Sequence, residues 1–424
     1  MIRTRLFTAA LLGTALAFGS FAAIMAPSEA FAQKASGDKK ASGETVRPEV
    51  GTPLQAAQEL VKQKKYKEAL VKVKEADAVP NKTPFEASTV LQFRVAVAQA
   101  AGDANELEKA MEALIATGAL QQAQQGQYAL VLAQSFLTDK NFPKTISWAQ
   151  KAISLGANES QARTMLLAAY FESKDYANAV KEMSLKIATA EKAGQKPTQR
   201  DLEILASLQL SNNNEAGYTA VLERLVGMYP EKKYWEDLLN RVQRKPGFNR
   251  DRLALDIYRL KYSIGLLESA GELMEMAQLS LQAGNPGEAQ AVIDKGYTSG
   301  VMGTGPEAER QKRLKDMAAK QVGDDKKALA QTESEALAGA NAGPILRVAE
   351  AYAGYGQFDK AATLAEAAIA KGNLKNPDDA RLRLVTYYLA LGQKAKAEAT
   401  AKAIKATDGP ADLARLSLLA AKAK

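Results

Sequence analysis

A turn signal returns along this chain at intervals close to multiples of 36 residues. GYGQFDKAA, from Gly354 to Ala362, places an alanine five residues after Gly356. LGQKAKAEA, from Leu391 to Ala399, repeats the arrangement with Gly392 and Ala397, 36 residues on. Upstream, the same frame holds Tyr66 and Ala69 in KQKKYKEAL, Tyr176 and Ala179 in ESKDYANAV, and Pro286 and Ala289 in QAGNPGEAQ. Ala69, Ala179 and Ala289 are spaced 110 residues apart, Ala289 and Ala361 are 72 apart, and Ala361 and Ala397 are 36 apart. Weaker copies fall at Leu107 and at Phe142 with Thr145. Such a period marks stacked supersecondary units, none of which can bury its apolar face alone, and it predicts about ten of them across residues 53–409.

The units read as helix pairs. In the first helix a large apolar and a small residue are followed by an aromatic, as in Val348, Ala349 and Tyr352, or in Leu166, Leu167 and Tyr170. A short turn leads to the second helix with its alanine. The small residue lets two helices cross closely while the aromatic fills the neighbouring hole. Proline recurs after a small or polar residue, at Pro53, Pro84, Pro286, Pro306, Pro344, Pro377 and Pro410. Proline suits the first helical position, and the acidic residues that follow at Glu86, Glu307, Asp378 and Asp412 suit the positive end of the helix dipole. No run of alternating β-branched residues argues for a strand.

On these residues the chain resembles the tetratricopeptide-repeat (TPR) family, in an exported bacterial form. The fullest match runs from Pro344 to Lys371, where Ala349, Tyr352, Gly356, Phe358, Ala361 and Ala368 take the family's small, aromatic, glycine, aromatic and two alanine positions. A first unit matches at Ala57, Leu60, Tyr66, Ala69 and Ala76, and another at Tyr170, Tyr176 and Ala179. Residues 201–269 lack a clear small–aromatic set, and residues 297–340 are irregular. The resemblance implies an all-α, right-handed solenoid with a concave face that holds a protein or peptide.

The first 32 residues read as a secretory signal peptide. Arg3 and Arg5 precede an apolar run from Leu6 to about Met25, and Ala30 and Ala32 set an A-x-A site for cleavage between Ala32 and Gln33. The alternative is an uncleaved inner-membrane anchor. The expected compartment is a bacterial periplasm. Residues 33–52, with KASG written twice, have too little apolar surface to order and read as a flexible linker. Residues 410–424 read as a capping helix and tail.

Composition removes much chemistry. There is no Cys and no His, so disulfides, thiolate metal sites and the commonest general base are absent. No cofactor and no metal site is expected, and an enzyme is not the reading favoured. The carboxylate pairs Asp324-Asp325, Asp378-Asp379 and Glu333/Glu335 read as helix starts or solvated loops. GVMGTG, from Gly300 to Gly305, has no strand before it and no Lys-Ser/Thr after it, so it reads as a flexible break near 297–306 and not as a phosphate loop. The net charge of +8, or +7 without Arg3, Arg5 and Glu29, is too diffuse for nucleic acid.

One stretch stands out. Residues 229–265 concentrate Tyr234, Trp235, Arg241, Arg244, Lys245, Arg250 and Arg252, with Arg259 and Lys261 beyond. Arginine forks grip carboxylates or phosphates, and aromatics supply contact area at low entropic cost. This is a candidate docking patch for a protein or peptide partner or, as an alternative, for an anionic envelope polymer. The competing reading makes Trp235, Leu238, Leu239 and Val242 an apolar helix stripe, with arginines paired to Asp237, Asp251 and Asp256. The repeat assignment itself is tested by Ala361→Leu, which overpacks the helix crossing and lowers stability by about 1–3 kcal/mol. A wild-type Tm in a thermal melt contradicts it.

Overall fold

The computed structural model describes residues 45–118 and 120–423, and every regular element among them is an α-helix. The expected signal peptide, with its cleavage site at Ala32 and Gln33, and most of the expected linker lie outside the described residues. The chain divides into two compact units, Met1–Asn214 and Glu215–Lys424.

The first unit holds α1 (Pro48–Lys62), α2 (Tyr66–Asp77), α3 (Pro84–Ala101), α4 (Ala104–Ala116), α5 (Gln122–Thr138), α6 (Phe142–Ser154), α7 (Glu159–Glu172), α8 (Tyr176–Lys192) and α9 (Gln199–Ser211). Each helix packs on the next, and alternate helices α1 and α3, or α5 and α7, also touch. The linker expected over 33–52 ends earlier than its composition implies. Helix α1 starts at Pro48, buries Val50 and Gly51, and carries Pro53 inside it and not at its start. What anchors this early start is Arg47, whose guanidinium and backbone N–H reach Glu86 at 2.9 Å. Glu86, fully buried, also accepts from the Thr83 backbone within a reciprocal cap at the start of α3. The Arg47 contacts hold its carboxyl down to about 2.

The second unit holds α10 (Glu215–Met228), α11 (Lys232–Gln243), α12 (Ala254–Ser263), α13 (Ala270–Gln282), α14 (Pro286–Thr298), α15 (Ala308–Ala338), α16 (Ala342–Gly354), α17 (Phe358–Lys371), α18 (Pro377–Ala390), α19 (Lys394–Lys402) and α20 (Pro410–Ala423). Pro286 and Pro377 stand at helix starts and Pro410 opens α20, whereas Pro306 precedes α15 and Pro344 is the third residue of α16.

The recurring alanine has one backbone cause in both units. At Lys64, Gly102, Lys140, Lys174, Gly284, Gly356 and Gly392 the chain turns through positive φ. The next residue donates its N–H back to the carbonyl five residues earlier, as from Asp175 to Tyr170, Gln357 to Tyr352 and Gln393 to Tyr388. This is the Schellman closure of a helix C-terminus. The second helix follows at once, so the residue five past the turn lands where the two helices cross. Ala69, Thr145, Ala179, Ala289, Ala361 and Ala397 there are wholly buried, and Leu107 is nearly so. On the first helix of the best-matching pair, Ala349 is wholly buried, and buried Tyr352 donates its hydroxyl to Glu333 at 2.5 Å.

Within the irregular stretch 297–340, residues 308–338 form a single continuous helix, α15. The flexible break expected near 297–306 is instead a packed turn. Met302 is buried among Leu273, Met276, Val292 and Leu314, and the Gly303 N–H is taken by Gln311 at 2.6 Å.

Unit two also closes on itself. Helix α20 packs on α18 and α19, as a cap would, and on α10 and α12 as well. Asn249 donates its backbone N–H to Asp408 at 2.9 Å. Gly409 lies against Leu253 and Phe248 at φ 131°, where a Cβ would collide with both side chains. Across the interior, Arg259 meets Glu288 at 2.7 Å and Asp256 at 3.1 Å, while Arg383 meets Asp256 at 3.3 Å and also pairs with Glu350. This network joins α12, α14, α16 and α18. Removing one guanidinium leaves buried carboxylates short of a partner, so Arg259→Met costs about 3–5 kcal/mol. A urea midpoint equal to that of wild type contradicts this weight.

Candidate functional site

The predicted docking patch is split by the fold. Helix α11 has its apolar stripe inward, so Tyr234 and Trp235 are only 4% and 3% exposed and pack with Leu238, Leu239 and Val242. They are core residues, which removes them as docking aromatics.

The basic residues have separate fates. Arg241 pairs with Asp237 at 2.8 Å and with Glu215, and it stacks 4.1 Å from the ring centre of Tyr218. Tyr218 in turn donates to Asp237 at 2.5 Å; burial first, and that hydrogen bond second, push its hydroxyl well above the usual phenol range. Lys245 reaches Asp412 of α20 at 2.6 Å. Arg252 stands between Asp408 at 2.7 Å and Asp379 at 3.0 Å. Arg244 and Arg250 are exposed and carry no ion pair among the described residues.

Three predicted residues do share one place. Arg241, Arg244 and Lys245 line a groove of about 740 Å³ between α10, α11 and α20, together with Glu215, Glu223, Asp237 and Asn240. Arg415 of α20 completes it and pairs with Glu223 and, at 2.9 Å, with Asp412. Sequence reasoning missed Arg415, because nothing local links residue 415 to residues 215–245. Most charges in this groove are matched by a neighbour, and Arg244 is the cation left to face an incoming group.

The Arg252 junction is the second electrostatic feature. Asp379 on α18 is 5% exposed, and one of its carboxylate oxygens has no hydrogen-bond partner among the described residues; the same is true of one oxygen of Asp408. Burial pushes the Asp379 carboxyl up to about 6, against the pull of Arg252 and Arg383 and with the help of Asp256 and Asp408. Asp408 moves the other way, held down by its hydrogen bond from Arg252. Burial also pushes Asp256 upward, but Arg383 and Arg259 outweigh it and hold that group below its usual value.

No family model matches the sequence, and no curated protein matches it. Among solved structures, the chain is similar to the TPR domain of P58(IPK), with 16% identity over 82% of this chain and 99% of that one, at a TM-score of 0.21. It is likewise similar to the structure of Naa15/Naa10 bound to HypK-THB, with 14% identity over 85% of this chain and 69% of that one, also at 0.21. Superposition this loose carries no argument; the all-α repeat architecture rests on the helix pairs themselves.

Asp379 makes stability depend on pH in a definite direction. Its folded carboxyl titrates above its ordinary 3.8, so between about 4 and 6 the folded unit holds a proton that the unfolded chain has released, and this group's contribution falls as pH rises through that window. Asp379→Asn removes that slope. Tm measured from pH 4 to 7 is expected to rise relative to wild type toward the upper end, and parallel curves contradict the assignment.

Proposed function

We propose that this chain is a non-catalytic helical-repeat scaffold that binds a protein or peptide partner in the cell envelope, after export on a signal peptide cut between Ala32 and Gln33. The observation that carries the reading is the use to which the residues are put. Alanines and aromatics are spent on helix crossings, and the ion pairs hold helix to helix. What remains open is a groove lined by Arg241, Arg244, Lys245 and Arg415. Helical-repeat stacks of this kind offer extended faces suited to a peptide or a folded partner.

The alternative, an anionic envelope polymer held by the aromatic and basic stretch, loses its main support. Its aromatics are buried, and Arg241, Lys245 and Arg252 are matched by carboxylates of the same unit.

Crosslinking of the tagged full chain in intact cells tests the proposal. Expected are a mature chain whose mass begins at Gln33, and recovery of one defined protein that persists in high salt and is weakened by Arg244→Glu. Recovery of polymer alone, lost on raising salt, or capture that Arg244→Glu leaves unchanged, overturns the reading or this site respectively.

A further inference from the structure

The adjacent carboxylates Asp378 and Asp379, in the first turn of α18, both hold the segment that leads into α20. Asp378 accepts the backbone N–H of Lys405 at 2.9 Å and that of Ala406 at 2.7 Å. Asp379 meets Arg252 at 3.0 Å, and the same guanidinium meets Asp408 at 2.7 Å. The Asp408 carbonyl accepts from Asn249, and Gly409 is wedged against Leu253 and Phe248. Asp412, the third residue of α20, then ties to Lys245 at 2.6 Å and to Arg415 at 2.9 Å. Residues 405–412 thus carry the grip of the carboxylate pair into the wall of the groove that holds Arg244.

The two carboxylates are held in opposite ways. Burial pushes Asp378 upward, but the two N–H groups, and Arg381 at 2.6 Å, outweigh it and keep that group below its usual value. Asp379 accepts no backbone N–H among the described residues and keeps one oxygen without a hydrogen-bond partner there, so burial prevails and lifts it to about 6. Four charged groups act on it: Arg252 from the segment between α11 and α12, Arg383 from α18 itself, Asp256 from α12, and Asp408 from the segment before α20. On the other helices packed against α18, charges are engaged elsewhere. Lys360 and Glu366 of α17 meet Glu333 and Tyr388, Lys396 and Glu398 of α19 meet the Tyr388 ring and Lys422, and Asp412 and Arg415 of α20 meet each other.

We propose that this carboxylate pair is an acid-closed latch on α20, with Asp378 as its constant tie and Asp379 as the tie that protonation sets. With Asp379 neutral the joint holds. Once ionised, the buried carboxylate faces Asp408 and Asp256 as well as its two arginines, and release of residues 405–412 to water relieves it. The closed form keeps a proton that the open form has given up, so closing is favoured in acid and lost as pH rises through about 6. Opening withdraws Asp412, the internal carboxylate on Lys245, and leaves Lys245 free beside Arg244. The groove is thereby regulated: its second cation is covered in acid and bare near neutrality. This last step rests on the scaffold reading, whereas the latch does not.

Amide hydrogen exchange on the full chain, corrected for intrinsic rates, tests the latch. The amides of Asn249 and Leu413 donate to the carbonyls of Asp408 and Gly409. They are expected to exchange ahead of amides in the middle of α14, and to lose protection about tenfold between about pH 5 and pH 7. Asp379→Asn, which mimics the neutral acid, is expected to flatten that dependence, while Asp378→Asn lowers protection at both values and keeps it. Exchange of these amides no faster than in α14, or an unchanged slope in Asp379→Asn, overturns the latch. The hold on the groove is read by crosslinking in cells at the same two pH values. Capture is expected to be greater near neutrality, and Asp412→Asn, which frees Lys245 throughout, is expected to equalise it; wild-type capture equal at both values overturns this step. A latch that behaves as expected with no partner captured counts against the scaffold alone, and a captured partner with pH-independent exchange counts against the latch alone.

Discussion

Everything in this protein hangs on how one helix hands over to the next. At the seven turns that join helix pairs inside one unit, a residue of positive φ closes the outgoing helix, and the chain re-enters a helix almost immediately. The geometry leaves no slack. At these seven turns the residue five positions on lies buried in the crossing between the two axes, where a small or well-fitted side chain is needed. Alanine fills it at five of these turns, threonine at one and leucine at one. The period, the burial pattern and the stacking of pairs all follow from that closure.

The second unit adds a constraint that a string of independent pairs would not need. Its last helix packs on its first, and the joint is made by charges: Lys245 with Asp412, Arg252 with Asp408 and Asp379, Arg415 with Glu223. Inside it, Arg259 and Arg383 tie helices that are distant in sequence. Buried ion pairs add little net stability over apolar residues of the same shape, but breaking one is severe, so they select one arrangement of helices over others. This explains the departure from the repeat pattern in the second-unit part of residues 201–269: α10 and α12 pack on α20, which comes from the far end of the unit.

That use of charge changes what the basic stretch is for. Read along the chain, Arg241, Lys245, Arg252 and Arg259 resemble an open docking surface; in space they are largely occupied, and the binding chemistry moves to what they leave over. That is the groove where Arg244 faces solvent.

The sequence by itself determined the class of fold and the unit of construction, because turn closure and helix crossing are local events whose demands recur at a fixed spacing. Ala69, Ala179, Ala289, Ala361 and Ala397 could be picked out without coordinates for that reason. It also held the alternative in which Trp235, Leu238, Leu239 and Val242 form an inward stripe, since a 3.6-residue period is legible in any helix. Only the tertiary structure decided which charges are spent and which are free. Asp408, Asp412 and Arg415 meet residues more than 150 positions away, and no periodicity encodes a contact made by folding one end of a unit onto the other. The turn at Met302 and the uninterrupted α15 were hidden likewise: glycines permit a flexible break or a tight turn equally, and it is the packing of Met302 against distant helices that selects the turn.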